Sequence, residues 1–306
     1  MSVATIPRAR IRSGLWDQFV EQQHDGWFFH TEGWIDYAMA YAPGSSDESV
    51  AFLRDGDIVA VLPSVRTTDG RWTFGGQPSV PLLTTDDAMV EHDMFAPGLK
   101  VAWRPGTDDD DVPVPTNGVL SRNETYVVDL WDGDEIAHWR RLRKSYRSLI
   151  HQAEGRCEIS AISGPGDRTL AAVETIAQNL HIAAAGRRTR SQETWRLMAE
   201  WALAGRGLIV LAREQSTQTY IGFAYAIRWK EWSYWMSGAT LQRNLQHALQ
   251  WHMIKALMCD GETRYYEVGH AATHADVSDD KAKNIAWFKS GFGGTRWVVP
   301  MVEGQV

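Results

Sequence analysis

The sequence predicts a mixed α/β (α+β) fold divided into two lobes. The chain has 306 residues, which exceeds the ~100–200 residues of a typical single domain. A pattern of three successive strands occurs twice, once in each half of the chain. After the second copy, strands and helices alternate, which is typical of a mixed, mostly antiparallel sheet flanked by helices.

The first lobe is predicted to cover residues 1–132. It opens with two segments, LWDQFVEQQ and TEGWIDYAMAYA, whose apolar residues recur at helical spacing, and Thr31 is expected to cap the second helix. The strands SVAFLR, IVAVLPSV and RWTFGG follow, separated by the turn sequences DGD and TTDG. A loop, a short helix, a strand near LKVAW, an acidic loop at Asp108–Asp111 and the strand ETYVVDL complete the lobe.

The second lobe is predicted to cover residues 133–295, with a tail strand at 296–306 that returns to the first lobe. One long basic helix is expected from Asp134 to Ala153, followed by a strand and two helices, with Ser191 as N-cap of the second. The meander then reappears as LIVLAR, YIGFAYAIRW and WSYWMSGA. A helix, the strand TRYYEVG, a further helix and the strand RWVVPMV follow.

Composition limits the class of protein. Hydrophobic residues make up 44% of the chain and charged residues 23%, as in an ordinary globular protein. The two cysteines lack a disulfide framework and metal-ligand spacing, which favours a reducing compartment. Neither an apolar signal segment nor a membrane-length apolar run is present in the sequence, so a cytoplasmic location is expected. The net charge of -7 argues against a protein coated by nucleic acid, but it leaves a local basic patch open.

Common nucleophile and metal motifs are absent from the sequence, including G-x-S-x-G, H-E-x-x-H and the P-loop. His270 and His274 are four residues apart in a loop, and no metal site is predicted there. Such a chain is expected to work by positioning two substrates and moving a proton.

Three segments carry candidate site residues. A strand containing Tyr234 and Ser237 leads to a helix that starts near Asn244, whose free N–H groups suit a phosphate or an oxyanion. A plain strand–loop–helix connection explains the same pattern.

The second segment is AKNIAWFKSGFGG, in which Ile285, Phe288 and Phe292 are expected to pack inward. This packing leaves Lys289 to project from the helix end; alternatively, Lys289 is a surface residue that compensates the helix dipole.

The third segment is the basic helix, where Arg143, Lys144 and Arg147 share one broad face. Guanidinium groups on one face can grip a diphosphate or an RNA backbone, or they form a solvated face.

The chain resembles the FemAB family of peptidyl and aminoacyl transferases, which are built on the GNAT fold. The matching stretches include LRKSYRSLIHQAE, YIGFAYAIRW, YWMSGAT, ALQWHMIKALMCDGETRYYEVG and IAWFKSGFGG, and they span about Arg140 to Gly294. In the first half only FLRDGDIVAVLP and the loop GGQPSVPLLTTDD match, and this loop begins with Gly75 and Gly76, two candidate substrate contacts.

The resemblance implies two GNAT-like lobes around a central cleft, and transfer of an amino acid or another activated acyl group to an amine. A lysine in the Phe-Lys segment is implicated in handling the acceptor's phosphate, and here it is Lys289. Arg143, Lys144 and Arg147 stand at the matching basic helix.

The donor is expected to be aminoacyl-tRNA. Acetyl-CoA enzymes of the GNAT fold carry R/Q-x-x-G-x-G/A where the helix starts, whereas this chain reads Arg243-Asn244-Leu245-Gln246-His247-Ala248, without both turn glycines. Arg243 and Asn244 are therefore candidate donor contacts, and acyl-CoA or an acyl carrier protein stays open. No cofactor is expected apart from this co-substrate.

The predicted function is an acyltransferase that forms an amide bond with a small-molecule amine, with tRNA as a candidate partner. Glu267, at a strand end, and His181 are the candidate proton acceptors. The alternatives are an acyl-CoA or carrier-protein N-acyltransferase, and a non-catalytic binding protein on the same fold.

Overall fold

A computed structural model of the chain describes residues 3–77, 79–85, 96–107, 112, 114, 118–131, 133–271 and 280–304. Its contacts divide the chain into two units. Unit 1 is Met1–Asn123 with Trp297–Val306, and unit 2 is Glu124–Arg296. The division after Asn123 comes earlier in the chain than the predicted boundary between residues 132 and 133, because Glu124–Asp129 pairs with a strand of unit 2.

Unit 1 combines short helices with small sheets. Its elements are β1 (Val3–Pro7), α1 (Leu15–Gln22), α2 (Glu32–Tyr41), β2 (Ser46–Asp47), β3 (Val50–Arg54), β4 (Asp57–Leu62), β5 (Val65–Arg66), β6 (Trp72–Thr73), β7 (Val80–Pro81), β8 (Leu83–Thr84) and β9 (Lys100–Ala102). Strand β10 (Gly118–Asp129) then leads into unit 2.

Local chemistry explains the start of unit 1. The Thr31 hydroxyl accepts a hydrogen bond from the Trp34 N–H and caps α2, as predicted. Asp55 and Gly56, both at positive φ, form the two-residue turn between β3 and β4. The expected strand IVAVLPSV is split at Pro63, because proline has no N–H for a ladder. β1, which the sequence pattern did not predict, pairs with β3.

Unit 2 alternates longer helices and strands. Its elements are α3 (Glu135–Arg141), α4 (Lys144–Glu154), β11 (Cys157–Ile162), α5 (Asp167–Leu170), a π-helical segment (Ala171–Ala177), α6 (Gln178–Ala185), α7 (Gln192–Leu203), β12 (Gly207–Glu214), β13 (Tyr220–Trp229), β14 (Trp232–Thr240), α8 (Leu245–Asp260), β15 (Tyr265–Ala271) and α9 (Asp280–Lys289). Strand β16 (Thr295–Gly304) then leads into unit 1.

The sheet of unit 2 has the strand order β11-β12-β13-β14-β15-β10. Every neighbouring pair is antiparallel except β14 and β15, which run parallel. The predicted meander is present as β12, β13 and β14, and Ser191 caps α7 through its hydroxyl. The prediction of a mixed α/β fold with mostly antiparallel sheets and flanking helices is confirmed.

Helix α8 lies in the core of unit 2. Leu249, Met253 and Leu257 are fully buried, and they pack in one cluster with β12, β13 and α4. On the β15 strand, Tyr266 and Val268 face this cluster. The alternating residues of β15 therefore have their side chains on the opposite side of the sheet, among them Glu267.

The prediction of one long basic helix from Asp134 to Ala153 is wrong, because the structure has two helices there. The chain leaves the helical conformation at Leu142 and Arg143, which separates α3 from α4. Neither residue is a helix breaker; instead, the Arg143 N–H donates to the Gly291 carbonyl at 2.9 Å, so a tertiary contact replaces a helical hydrogen bond.

The short helix expected after residue 85, the acidic loop at Asp108–Asp111 and His274 lie outside the described residues. In the part of the chain that is described, no helix is long and apolar enough to cross a bilayer.

Candidate active site

The candidate site lies where two parallel strands of unit 2 part. β14 and β15 are paired only from Trp232–Tyr265 to Tyr234–Glu267. Further along, β14 remains paired with β13, and β15 remains paired with β10. A pocket of about 290 Å³ opens at this point, lined by His181, Arg190, Trp235, Met236, Ser237, Gly238, Val268 and Lys289.

Both strands carry a bulge beside the pocket. In β14, Trp235 and Ser237 oppose successive residues of β13, which leaves Met236 without an opposite residue. In β15, Glu267 and Gly269 oppose successive residues of β10, which leaves Val268 without one. Bulges interrupt regular pairing and redirect side chains, and they are frequent next to active sites.

Lys289 is the last residue of α9, and its Nζ donates to the His270 carbonyl at 2.8 Å. Burial lowers the pKa of Lys289 to about 8, although the carboxyl of Glu267 acts in the opposite direction. Gly269 has φ +92, and a Cβ there would lie 3.1 Å from Nζ. A glycine is needed at this position both for the backbone conformation and for the close approach of the amine.

Glu267 is a buried carboxyl group with a residue exposure of 6%. Its Oε1 accepts from the Thr125 hydroxyl at 2.6 Å, while its Oε2 is buried without a hydrogen-bond partner among the described residues. Burial raises the pKa of Glu267 to about 7, against the opposing effects of Thr125 and Lys289. Both the carboxyl and the amine therefore exchange protons near neutral pH, a property typical of functional sites.

His181 lies on α6 and contacts Arg190, 3.4 Å from Nε2 to Nη2. Because a guanidinium group only donates, Nε2 is the acceptor, and Nδ1 carries the proton, facing the Thr189 hydroxyl at 3.2 Å. Burial, together with Arg190, lowers the pKa of His181 to about 4. The imidazole is therefore neutral at pH 7, and its lone pair is directed at Arg190.

Arg190 comes from the loop between α6 and α7. Its guanidinium reaches the Ser237 hydroxyl at 3.4 Å and lies over the Trp195 ring at 5.1 Å. Arg190 and Lys289 place two basic groups on the lining of the pocket, and none of the lining residues is acidic. Electrostatics therefore favour an anionic ligand group in the pocket.

Solved structures of other proteins share the fold. Over 98% of this chain and 97% of the other, the structure resembles FemX, with a TM-score of 0.60 and 12% identity. L-PGS from Bacillus licheniformis matches 85% of this chain and 84% of its own, with a TM-score of 0.55 and 12% identity.

A domain assigned to a lysylphosphatidylglycerol synthetase from Agrobacterium fabrum matches 95% of this chain and 90% of its own, with a TM-score of 0.57 and 10% identity. The chain shares the fold of FemX and of these synthetases. No family profile matches the sequence, and no curated protein matches it.

Within this fold, several predicted residues come together in unit 2. Lys289, His181 and Ser237 line one pocket, and Glu267 interacts with Lys289. Tyr234 is half-buried next to them, and its hydroxyl lies 3.7 Å from the position of a Cβ on Gly269.

The start of α8 lies close to the same strand. A Cβ on Gly238 would lie 3.0 Å from the Gln246 Nε2, in the first turn of the helix. Asn244 precedes the helix at φ +65 and provides no side-chain cap, and Arg243 is exposed. The predicted helix N-terminus is therefore present beside the pocket, and the roles of Arg243 and Asn244 as donor contacts stay predictions.

The basic residues Arg143, Lys144 and Arg147 do not share one solvent-exposed face. Lys144 is exposed, while Arg147 is half-buried with a buried Nε that has no partner among the described residues. Both terminal nitrogens of Arg143 donate to protein groups, Trp287 and Ser290 among them, and its role as a substrate contact stays a prediction.

Gly75 and Gly76 belong to unit 1 and form a tight turn bridged by Phe74 and Gln77. A Cβ on Gly75 would lie 3.0 Å from the Tyr37 ring, and one on Gly76 3.4 Å from the Tyr41 hydroxyl. The close packing of this turn against α2 accounts for both glycines without a ligand.

Sequence reasoning missed three residues of the site: Arg190, Thr125 and Gly269. Arg190 belongs to a basic cluster in the sequence, together with Arg187 and Arg188. Its side chain lines the pocket through contacts with His181 and Trp195, which the sequence does not reveal. A glycine within a strand, such as Gly269, is a recognisable sign of a bulge or of close approach.

Proposed function

We propose that this protein is an acyltransferase that forms an amide bond, transferring an aminoacyl group to an amine acceptor at the unit 2 pocket. The observation that carries this proposal is the place of the Lys289 amine, which is bonded to the His270 carbonyl and lies near enough to the buried Glu267 for its charge to act on it, where β14 and β15 part. The fold shared with FemX and L-PGS supports a transferase of this class.

In the proposed reaction the acceptor amine attacks the acyl carbonyl directly. The new C–N bond forms and the C–O bond of the aminoacyl ester breaks. Lys289, which has a pKa of about 8, is partly neutral at physiological pH and accepts the proton that the amine loses. The same proton then passes to the leaving ribose oxygen, which becomes a hydroxyl, so Lys289 returns to its starting state.

Glu267 supports this proton transfer through its charge, without contacting the substrate. Its carboxyl is half ionised near pH 7, and an ionised Glu267 favours the protonated form of Lys289 after attack. We assign His181 to orienting Arg190 rather than to accepting the proton, because its lone pair is already engaged.

The two basic groups of the pocket support an anionic substrate. Arg190 presents a planar set of donors, which suits a carboxylate or a phosphoryl group. We infer that one of the two substrates carries such a group close to the reacting centre. The indole of Trp235 and the thioether of Met236 provide an apolar wall beside it.

Aminoacyl-tRNA is the proposed donor, with acyl-CoA as the alternative. The first turn of α8 contains no glycine, and Leu245 at its start is completely buried. A Cβ on Gly222 would lie 2.8 Å from Leu245 Cδ2, so this turn is packed tightly against β13. A packed, glycine-free turn offers a pyrophosphate less room to approach the backbone.

The decisive experiment supplies each donor in turn to the purified protein with a panel of amines that carry a phosphate or a carboxylate. Deacylation of aminoacyl-tRNA, with an amide product seen by mass spectrometry, supports the proposal. Release of free thiol from acyl-CoA together with saturable CoA binding supports the alternative donor.

Lys289→Ala is expected to abolish transfer, whereas Lys283→Ala, on the same helix, is expected to keep it. If the folded protein consumes neither donor above the rate in buffer, the proposed function is wrong and a binding protein on this fold is favoured.

A further inference from the structure

Arg143 lies at the break between α3 and α4, and its side chain contacts the end of α9. Nη1 donates to the Trp287 carbonyl at 2.9 Å, and Nη2 donates to the Ser290 hydroxyl at 2.7 Å. The guanidinium also stacks on the Trp287 ring, 3.6 Å from its centroid. One side chain therefore holds two residues that flank the Phe288-Lys289 pair.

Tyr146, one helical turn after Arg143, adds to this attachment. Its hydroxyl donates to the Phe288 carbonyl at 2.9 Å and accepts from Arg143 Nη1 at 3.0 Å. A Cβ on Gly291 would overlap the Tyr146 ring. Two carbonyls in the last turn of α9, those of Trp287 and Phe288, thus accept hydrogen bonds from side chains at the beginning of α4.

Helix α9 is only partly buried. None of its residues is fully buried, and Ile285 and Trp287 are 44% and 66% exposed. Phe288 is half-buried against the core of unit 2. The hydrogen bonds at its end therefore orient α9 together with the packing of Phe288 on Tyr146 and Trp235.

We propose that Arg143 is a positioning residue, which clamps the last turn of α9 so that the Lys289 amine is directed onto the β15 bulge at Gly269. In the clamped position, Lys289 Nζ reaches the His270 carbonyl and the field of Glu267. Arg143 itself does not touch the substrate. The inference rests on the proposed function for its effect on catalysis, but the position of Lys289 can be measured without turnover.

The experiment measures the reactivity of Lys289 as a function of pH. Competitive labelling with acetic anhydride, read by mass spectrometry, gives an apparent pKa for each lysine of the folded protein. In Arg143→Met the end of α9 is released into solvent, and the pKa of Lys289 is expected to rise from about 8 by about one unit or more. Arg143→Lys keeps the charge without the planar fork and is expected to give a smaller rise.

Arg196→Met is the matched control, since this exposed arginine on α7 pairs with Glu193 and Glu200. It should leave the titration of Lys289 unchanged. If Arg143→Met does not fold, Ser290→Ala and Trp287→Ala each remove one part of the clamp and are each expected to raise the same pKa. An unchanged titration of Lys289 in the folded Arg143→Met protein, or in both replacement variants, overturns the proposal.

Turnover provides the second measurement. With an active donor, Arg143→Met is expected to lower kcat with little change in KM, since the substrate contacts remain in place. If the wild-type protein transfers no acyl group, the proposed function fails, while the labelling result still decides whether the clamp exists.

Discussion

The two meanders begin alike and end differently. In unit 2, β12, β13 and β14 form a continuous antiparallel set, and β14 gains a parallel neighbour, β15. In unit 1, β3 and β4 form a hairpin, but Pro63 interrupts the second strand, and the aromatic third strand β6 pairs with β5 in a separate small sheet.

This difference shows what a site requires beyond a strand pattern. The third strand of unit 2 has a parallel partner from which it separates, and both strands bulge where the pocket opens. The pocket residues then come from two helices, a loop and two strands. The third strand of unit 1 is only two residues long, and its small-residue end packs as a turn against α2.

The largest effect is expected at Lys289. If the chemistry depends on its amine, Lys289→Ala and Lys289→Arg should both lower kcat by about 10²-fold or more, because arginine remains protonated and cannot accept the proton. The wild-type rate should rise with pH through the pKa of about 8. Steady-state measurement of kcat from about pH 6 to about pH 9 checks this. A Lys289→Arg enzyme with the wild-type rate would instead assign Lys289 to binding an anion.

The next effect concerns the buried carboxyl. Because burial raises the folded pKa of Glu267 to about 7 from 4.5, its ionisation destabilises the fold as pH rises through this range. Glu267→Gln should therefore increase the free energy of unfolding by about 3 kcal/mol at pH values above 7, relative to its effect in acid. Urea unfolding at acid and alkaline pH measures this difference, and Glu200→Gln, at an exposed pair, is the control. An equal change in the free energy of unfolding at both pH values would show that ionisation of Glu267 does not destabilise the fold.

A smaller effect is expected at the β15 bulge. Gly269→Ala introduces a side chain at φ +92 and should destabilise the fold by about 1–3 kcal/mol. It should also displace the Lys289 amine and raise its pKa. Gly205→Ala, at φ +78 with open space around the new Cβ, separates the two causes. It should show a similar strain with no change in the pKa of Lys289, and equal pKa values in the two variants would contradict this account.

The smallest effect distinguishes the two hairpin turns. The first meander turns at Asp55-Gly56, whereas the second turns at Lys230-Glu231, with Lys230 at φ +52. Lys230→Gly should relieve this conformation and stabilise unit 2 by about 0.5 kcal/mol in urea unfolding. Glu231→Gly, at an ordinary φ, should destabilise instead. A loss of stability in Lys230→Gly would show that other contacts of Lys230 outweigh the strain.

Much of the fold was predictable because its signals are local. Thr31 and Ser191 act as helix caps, and the Asp55-Gly56 turn joins β3 to β4, as their sequence patterns indicated. The break at Arg143 was not predictable, since its cause is the carbonyl of Gly291, which is far away in the chain. The position of Ile285 was also predicted wrongly, since this residue was expected to pack inward but is exposed.

The candidate site was predictable only in part. The position of Lys289 at the end of a helix and the small residues at the end of β14 were both visible in the sequence. Their convergence with His181 and Arg190 was not, because it needs the sheet to bring residues together from four separate segments. The predicted roles of Lys144, Arg147, Arg243 and Asn244 in substrate binding stay predictions.

The sequence by itself determined most of the helices and strands and the repeated meander, because caps, turns and hydrophobic periodicity act between near neighbours. Only the tertiary structure decided that β14 and β15 part at Tyr234 and Glu267, that Arg143 holds α9, and that a carboxyl and an amine titrate near neutral pH. These properties arise from burial and from contacts between distant segments, and no local pattern encodes how deeply a charged group is removed from water.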